Sequence, residues 1–355
     1  MTMLAEDYDY VIGGDPDRDT IDLAVLDTAT GGVRAHLASS ADGAGYVGML
    51  EWARQHAPGR RVWALEGTGS FAAGLSDALA QAGEDVVEVG GVKRVRGAKS
   101  DRIDAVRAAR TALGRDHQAS PRAQGLRGAI RALTATRESV IASRTKAINE
   151  LKSLIVVAPE HLRATLRGLS LTKQLARIEA TATTNAATVE HRITVLTMQS
   201  ITARIRFLTG QLADLDPELD RLLRQHPAGP ALLAQPGVGP VVAAQLLLSW
   251  SHSGRVRNEA AFASLAGVAP LEASSGLHAR HRLNRGGDRA LNRALHTVAI
   301  TRMRTHPQTR SYEIRRTAEG KTHRDIRRCL KRIIARQLYR VMEAAARASV
   351  SSTAA

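Results

Sequence analysis

Lys99–Ser100–Asp101–Arg102–Ile103–Asp104–Ala105 is the stretch from which the rest of this 355-residue chain can be read. It opens a helix expected from Ser100 to about Leu113. Residues three apart share a helix face, so Asp101 and Asp104 point the same way. Acids in a first turn also complement the positive end of the helix dipole, so the pair alone defines no site. Two further acids stand at strand ends upstream. Asp15 closes the apolar run Tyr10–Val11–Ile12–Gly13–Gly14, and Glu66 closes Val62–Trp63–Ala64–Leu65. Four carboxylates delivered by two strand ends and one helix can converge on hard divalent cations.

Outward from that helix, the N-terminal region alternates as strands do. Tyr10–Gly14, Thr20–Leu26 and Val33–Ser39 read as antiparallel strands, with Ile21, Leu23 and Val25 on one face. A helix follows to His56 with Asp42 as its N-cap. Strand Arg61–Glu66, a Gly67–Ser70 turn, a helix to about Ala82 and strand Asp85–Val89 complete an α/β domain over residues 1–118. Chemistry on such a sheet sits at the strand ends. Asp17, Asp19 and Asp22 read as turn and exposed strand positions rather than site residues.

Ala119–Ser120–Pro121 reads as a linker into a helical region, 119–226. One helix there ends at Pro159. Another carries Met198, Ile201, Ile205, Leu208, Leu212, Leu215, Leu219 and Leu222, whose steps of three and four form a coiled-coil seam. The seam serves either a hairpin within the chain or a dimerising arm. A third region, 227–345, begins with Pro236–Gly237–Val238–Gly239–Pro240 between two short helices. That turn is either a packing turn or a backbone clamp offering N–H groups to phosphate. A basic amphipathic helix closes the region, and 346–355 is expected to be a frayed tail.

The net charge of +16 is unevenly placed, since residues 255–340 hold 20 Lys and Arg against 6 Asp and Glu. A polyanion is the natural partner of that region. Candidate contacts are Arg280, Arg282, Arg285, Arg289, Arg293, Arg328 and Lys331, joined by Lys93, Arg94, Arg96 and Lys99 next to the acids. Cys329 is the only cysteine, which excludes a disulfide framework and a cysteine-based zinc site. No apolar run approaches the ~20 residues of a membrane span. Glu6, Asp7 and Asp9 stand where a signal peptide carries cations, so a cytoplasmic protein is expected.

Phosphoryl transfer on nucleic acid commonly uses two divalent metals about 3.5–4 Å apart. Asp15, Glu66, Asp101 and Asp104 suit that chemistry, with Mg2+ indicated because every ligand is oxygen. Ser275, in Ser274–Ser275–Gly276 and close to His278 and Arg280, is either an ordinary loop serine or a nucleophile flanked by cations.

In their order along residues 9–340, Gly14–Asp15, Leu65–Glu66–Gly67–Thr68–Gly69, Lys99–Ala105, Pro236–Pro240 and Ser275–Gly276 resemble the DEDD transposases of the insertion-sequence one-ten family. These are relatives of the Piv-type DNA invertases. The resemblance implies an RNase H-like (Holliday-junction-resolvase-like) domain, a coiled coil and a mainly α-helical C-terminal transposase domain. It implies the acidic tetrad Asp15, Glu66, Asp101, Asp104 as metal ligands and Ser275 as the nucleophile forming a transient serine–DNA link. It also implies double-stranded donor and target DNA, a structured bridge RNA that pairs with both, and a homo-oligomer from dimer to tetramer. The run Gly14–Asp15–Pro16–Asp17–Arg18 departs from the family's Gly-Ile-Asp pattern, and Ser274 stands beside Ser275.

Three other readings carry their own marks. A junction-resolving nuclease using activated water needs the acids but not Ser275. An actin-like or sugar-kinase ATPase needs a glycine-rich phosphate loop, which Pro16–Asp17–Arg18–Asp19 does not supply. A non-catalytic nucleic-acid-binding protein leaves the four acids without a role.

Overall fold

The computed structural model describes residues 3–90, 101–115, 118–182, 188–272, 281–284 and 286–353. Of Asp101, residues 272 and 281–283, and residues 350–353, only the backbone is described. After a single helical turn, α1 (Leu4–Asp7), come β1 (Tyr10–Pro16), β2 (Thr20–Asp27), β3 (Val33–Ser40), α2 (Gly43–His56), β4 (Arg61–Glu66), α3 (Ala73–Gln81), β5 (Asp85–Val89) and α4 (Asp101–Leu113). The sheet order is β3-β2-β1-β4-β5. β2 pairs antiparallel with β1 and β3, whereas β4 runs parallel to β1 and β5. The strands, and the α2 N-cap at Asp42, whose carboxylate accepts the Gly45 N–H at 2.8 Å, lie where their sequence patterns put them.

Period-two alternation splits the sheet into two apolar faces. Ile12, Ile21, Leu23, Val25, Trp63 and Leu65 pack against α2 and α3. Val11, Ala24, Leu26, Val62 and Ala64 pack against α4 through its buried Ala105, Ala108, Ala109 and Ala112. The α4 side is unusually close. A Cβ built on Gly13 of β1 would stand 2.0 Å from the Ala105 carbonyl oxygen and 2.6 Å from the Ala109 nitrogen. Glycine in the strand and alanine on the helix let the two backbones meet.

The second region is an antiparallel hairpin of two long helices, α5 (Leu126–Val157) and α8 (Val189–Gln225). Their register is marked by Arg137–Asp216 at 2.5 Å, Arg144 donating to Thr209 at 2.8 Å, and the Arg204–Glu150 pair. The short helices α6 (Glu160–Leu166) and α7 (Leu171–Glu179) close its far end, where Leu162, Leu166, Leu175 and Ile178 join Leu151, Val195 and Met198 in one cluster. Of the predicted seam, Met198, Ile205, Leu208, Leu219 and Leu222 are buried, all of them within this one chain.

The remainder comprises α9 (Gly229–Leu233), α10 (Pro240–Trp250), α11 (Glu259–Leu265), the short hairpin β6 (Pro270–Glu272) and β7 (His281–Leu283), α12 (Arg289–Thr305), α13 (Pro307–Ala318) and α14 (His323–Thr353). Its core contains Trp250, Phe262, Leu295 and Leu338 together with Ile130 of α5 and Leu219, Leu222 and Leu223 of α8. The base of the hairpin is thus built into this core, across position 226. The Pro236–Pro240 turn packs on α12, where buried Arg302 donates to the Pro236 carbonyl at 2.7 Å and to Gln337 at 2.7 Å. The expected tail begins inside α14, which runs on to Thr353, with Ala345 and Ala346 packed against the core. Among the described residues no helix is long and apolar enough to cross a membrane.

Two measurements test this packing. Gly13→Val is expected to lower stability by about 2–3 kcal/mol, because backbone atoms must move to admit the side chain. Gly48→Ala, on an open face of α2, should stabilise by about 0.5–1 kcal/mol instead. Urea unfolding followed by circular dichroism separates the two. Burial holds the imidazoles of His226 and His252 below their usual value, and Arg255 and Arg127 lower His252 further. The unfolded chain takes up those protons near pH 6.5 while the folded one resists, so stability should fall as pH drops through about 6.5. Thermal unfolding at steps between pH 7.5 and 5.5 reads this out, and His252→Gln should flatten the slope.

Candidate active site

Asp15 and Glu66 reach one another through strand register. β1 and β4 run parallel with Gly14 beside Leu65, so one step further Asp15 and Glu66 end neighbouring strands side by side. Asp15 continues the Val11–Gly13 side of β1 and Glu66 the Val62–Ala64 side of β4, which is the face covered by α4. Asp104 is one helical turn from Ala108, on the alanine side of α4. The three acids line one cavity of about 320 Å³, together with Gly67, Ser70 and Arg107.

Arg107 forms an ion pair with Asp104 three residues before it, and both side chains are largely covered. Asp22 lies opposite Asp15 in the β1–β2 ladder and is half-buried on the same face, a nearer neighbour of the site than an exposed strand position. His36 on β3 faces the same side opposite Ala24, and burial followed by the Arg102 charge holds its imidazole below the usual value. Asp101 is the first residue of α4, and its side chain lies outside the description. An oxygen-only donor set suits a hard divalent ion. Among the described residues no three metal-binding side chains are already gathered tightly enough to hold one.

Two family profiles match this chain. One described as "Transposase", of the DEDD IS110 type, matches residues 12–158. The other, described as "Transposase IS116/IS110/IS902 family", matches residues 230–313. Together they take in well over half of the chain. The chain belongs to the IS110 family of transposases.

Among its relatives is the uncharacterized 43.6 kDa protein of insertion element IS110 from Streptomyces coelicolor, 36% identical over 130 residues. That match takes in 36% of this chain and spans only 32% of the relative. The uncharacterized 42 kDa protein of insertion element IS900 from Mycobacterium paratuberculosis is 27% identical over 319 residues, 75% of this chain and 78% of that protein. IS110 transposases are a family of DNA-cleaving and rejoining enzymes, and their DEDD domain is of a kind that works with divalent metal ions.

In this IS110 transposase the loop after Glu66 is held by a buried polar joint. The Thr68 hydroxyl donates to Glu88 Oε2 at 2.5 Å and accepts the Arg122 N–H at 3.0 Å. The Thr68 carbonyl accepts from Gln124 at 2.9 Å. Glu88, a nearly buried acid among the valines of β5, also pairs with Arg122 at 3.3 Å and with Arg255 at 3.0 Å. Arg255 precedes α11, so the joint ties the acid loop to the C-terminal region through the 118–125 linker. Ser251, in an unusual backbone conformation at φ 72°, adds a bond from the Ala123 N–H at 3.0 Å. Sequence reading missed Thr68, Glu88, Arg122 and Arg255. The available signal was a carboxylate set among Val86, Val87 and Val89.

The predicted nucleic-acid contacts divide. Lys93, Arg94, Arg96, Lys99, Arg280 and Arg285 lie outside the described residues, as do Ser274 and Ser275. Arg282 is described only by its backbone, in β7. Arg289, Arg293 and Lys331 line a common hollow at the start of α12, and Arg328 lines a neighbouring one with Lys331.

Glu88→Ala leaves Arg255, only 10% exposed, without its carboxylate. A loss of about 3 kcal/mol is expected from the unpaired buried charge. Chemical denaturation checks it, and a double change with Arg255→Met should recover part of the loss.

Proposed function

We propose that this IS110 transposase mobilises its own element as a metal-dependent serine recombinase. The observation that carries the reading is the meeting of Asp15, Glu66 and Asp104 around one cavity, at the ends of two parallel strands under one helix. Asp101, one helical turn before Ala105, is the fourth acid. The mixed sheet with central β1 supports an RNase H-like domain over 1–118. The α5–α8 hairpin is the counterpart of the coiled coil over 119–226, and 227–345 is the transposase domain.

Mg2+ bound by the four acids would screen the scissile phosphate and stabilise the charge that develops on it. Ser275 supplies the nucleophile. Its hydroxyl oxygen attacks phosphorus, its proton passes to a base, and the bond to one strand end breaks, leaving that end with a free hydroxyl. A hydroxyl of the partner strand then attacks the serine phosphodiester and releases Ser275. The basic C-terminal region holds donor and target DNA, and a bridge RNA pairs with both. A dimer or tetramer in the cytoplasm brings the two duplexes together.

Purified protein, RNA transcribed from the flanking element, Mg2+ and labelled DNA test this. A covalent protein–DNA adduct is expected with the unaltered protein. It should be abolished by Ser275→Ala and by chelator, and reduced at least 100-fold by Asp101→Ala or Glu66→Ala. Cleavage without adduct that survives Ser275→Ala would instead identify a water-activating nuclease. Strand exchange independent of RNA would remove the guide from the scheme.

A further inference from the structure

Two hollows flank the turn that leads into β6, and they meet at Lys331. The first, about 630 Å³, is lined by Arg289, Asn292, Arg293, His296 and Lys331. Its single carboxylate, Asp288, is committed elsewhere. It caps α12 by accepting the Ala290 and Leu291 N–H groups, and it accepts the Ser249 hydroxyl at 2.6 Å. The second hollow, about 450 Å³, has an apolar floor of Val268, Ala269, Pro270 and Ile333, with Arg328 and Arg332 at its rim and one carboxylate, Asp325, which pairs with Arg328 at 3.4 Å.

Lys331 is aimed rather than loose. Its Nζ donates to Asn292 Oδ1 at 2.9 Å, and the Asn292 amide is itself anchored on the Ala266 carbonyl at 2.7 Å. Among the described residues neither Lys331 nor Arg289 has a carboxylate partner. Burial and the neighbouring Arg328 both disfavour the ammonium charge of Lys331, which an incoming anion would relieve. Across the wall, Arg332 Nη1 is buried and has no hydrogen-bond partner among the described residues. Cations gathered at half-buried Lys331, beside a hollow whose floor is apolar, suit a nucleotide, which joins a fixed anion to a flat ring.

We propose that this double hollow seats one nucleotide of the DNA strand being cut, with its phosphate on Lys331 and Arg289 and its base unstacked against Val268, Ala269 and Ile333. The assignment to the cut strand rests on Ser275 as nucleophile, since β6 and β7 flank residues 273–280 in sequence. An aliphatic floor accepts the face of any base, so the seat holds position without reading sequence.

The test is binding, so it stands apart from catalysis. Fluorescence anisotropy of the full chain is measured with single-stranded DNA in which one base at a time is removed along the cleavage region. Removal at one position should weaken binding by about tenfold. Ala269→Phe, which fills the apolar hollow, should make the series flat, and Ile333→Ala should shrink the effect if the first variant fails to fold. Lys331→Ala should weaken every member of the series alike and lower the salt slope of log K by about 0.7. Ser275→Ala should keep the positional effect while forming no adduct. A positional effect in a protein whose adduct does not depend on Ser275 would sustain the seat and fail the nucleophile. A flat series with the unaltered protein, no binding, a positional effect untouched by either filling or trimming the hollow, or an effect seen with RNA but not DNA would overturn the proposal.

Discussion

The approach of α4 to β1 at Gly13 is the constraint on which the acid site depends. Asp15 and Glu66 are placed by strand register, but Asp104 belongs to a different layer and meets them only if helix and sheet stand close. Ordinary apolar side chains would hold the layers about 10 Å apart. Here Gly13 and the alanine face of α4 reduce that gap until backbone nearly touches backbone. Alanines bury little area, so the contact trades hydrophobic stabilisation for position. Trp63, Leu65, Leu75 and Leu79 on the other face of the sheet carry the larger burial and keep the strands fixed beneath the site.

A second constraint joins the acid layer to the rest of the chain. The joint at Glu88 is polar, with Thr68, Arg122 and Arg255 all bonded to one nearly buried carboxylate. Charged hydrogen bonds are directional, so the joint specifies an orientation that an apolar contact of equal area would leave free to slide. The same device recurs where Arg302 fastens the Pro236 turn to α12 and α14. Both joints sit beside glycine turns whose own backbone has little to pack.

The sequence pattern located the five strands of the sheet and its helices to within about two residues because each runs long enough to show its period. Alternation along Ile21–Leu23–Val25 and the cap at Asp42 are local chemistry, visible without the fold. The acids at strand ends were legible for the same reason, as polar residues closing apolar runs. Their partners were not. That Asp22 stands opposite Asp15 depends on hairpin register, and the bonds of Glu88 come from Thr68, Arg122 and Arg255, which only the fold brings to it. β6 and β7 are three residues each, too short for any period to speak. Whether the α8 stripe faced its own chain was a tertiary question, answered by Arg137–Asp216 and the Glu150–Arg204 pair.

Charge explains why the acid site and the basic region share one chain. A cavity lined by Asp15, Glu66 and Asp104 repels the phosphates of DNA, and Arg107 is already engaged by Asp104. Metal ions can reverse the local sign, but they act over short range and are themselves screened. Attraction that gathers a polyanion must come from a broader surface. Residues 255–340 supply it with 20 cations against 6 acids. Several of those cations are spent on internal pairs, as with Arg336 and Arg340 on Glu259. Arg289 and Lys331 are left without carboxylates among the described residues, so their charge is open to an anion from outside. A protein that held DNA by its acidic layer alone would need metal before it could bind. Cations carried on the C-terminal region can attract a polyanion without any ion in the acid cavity.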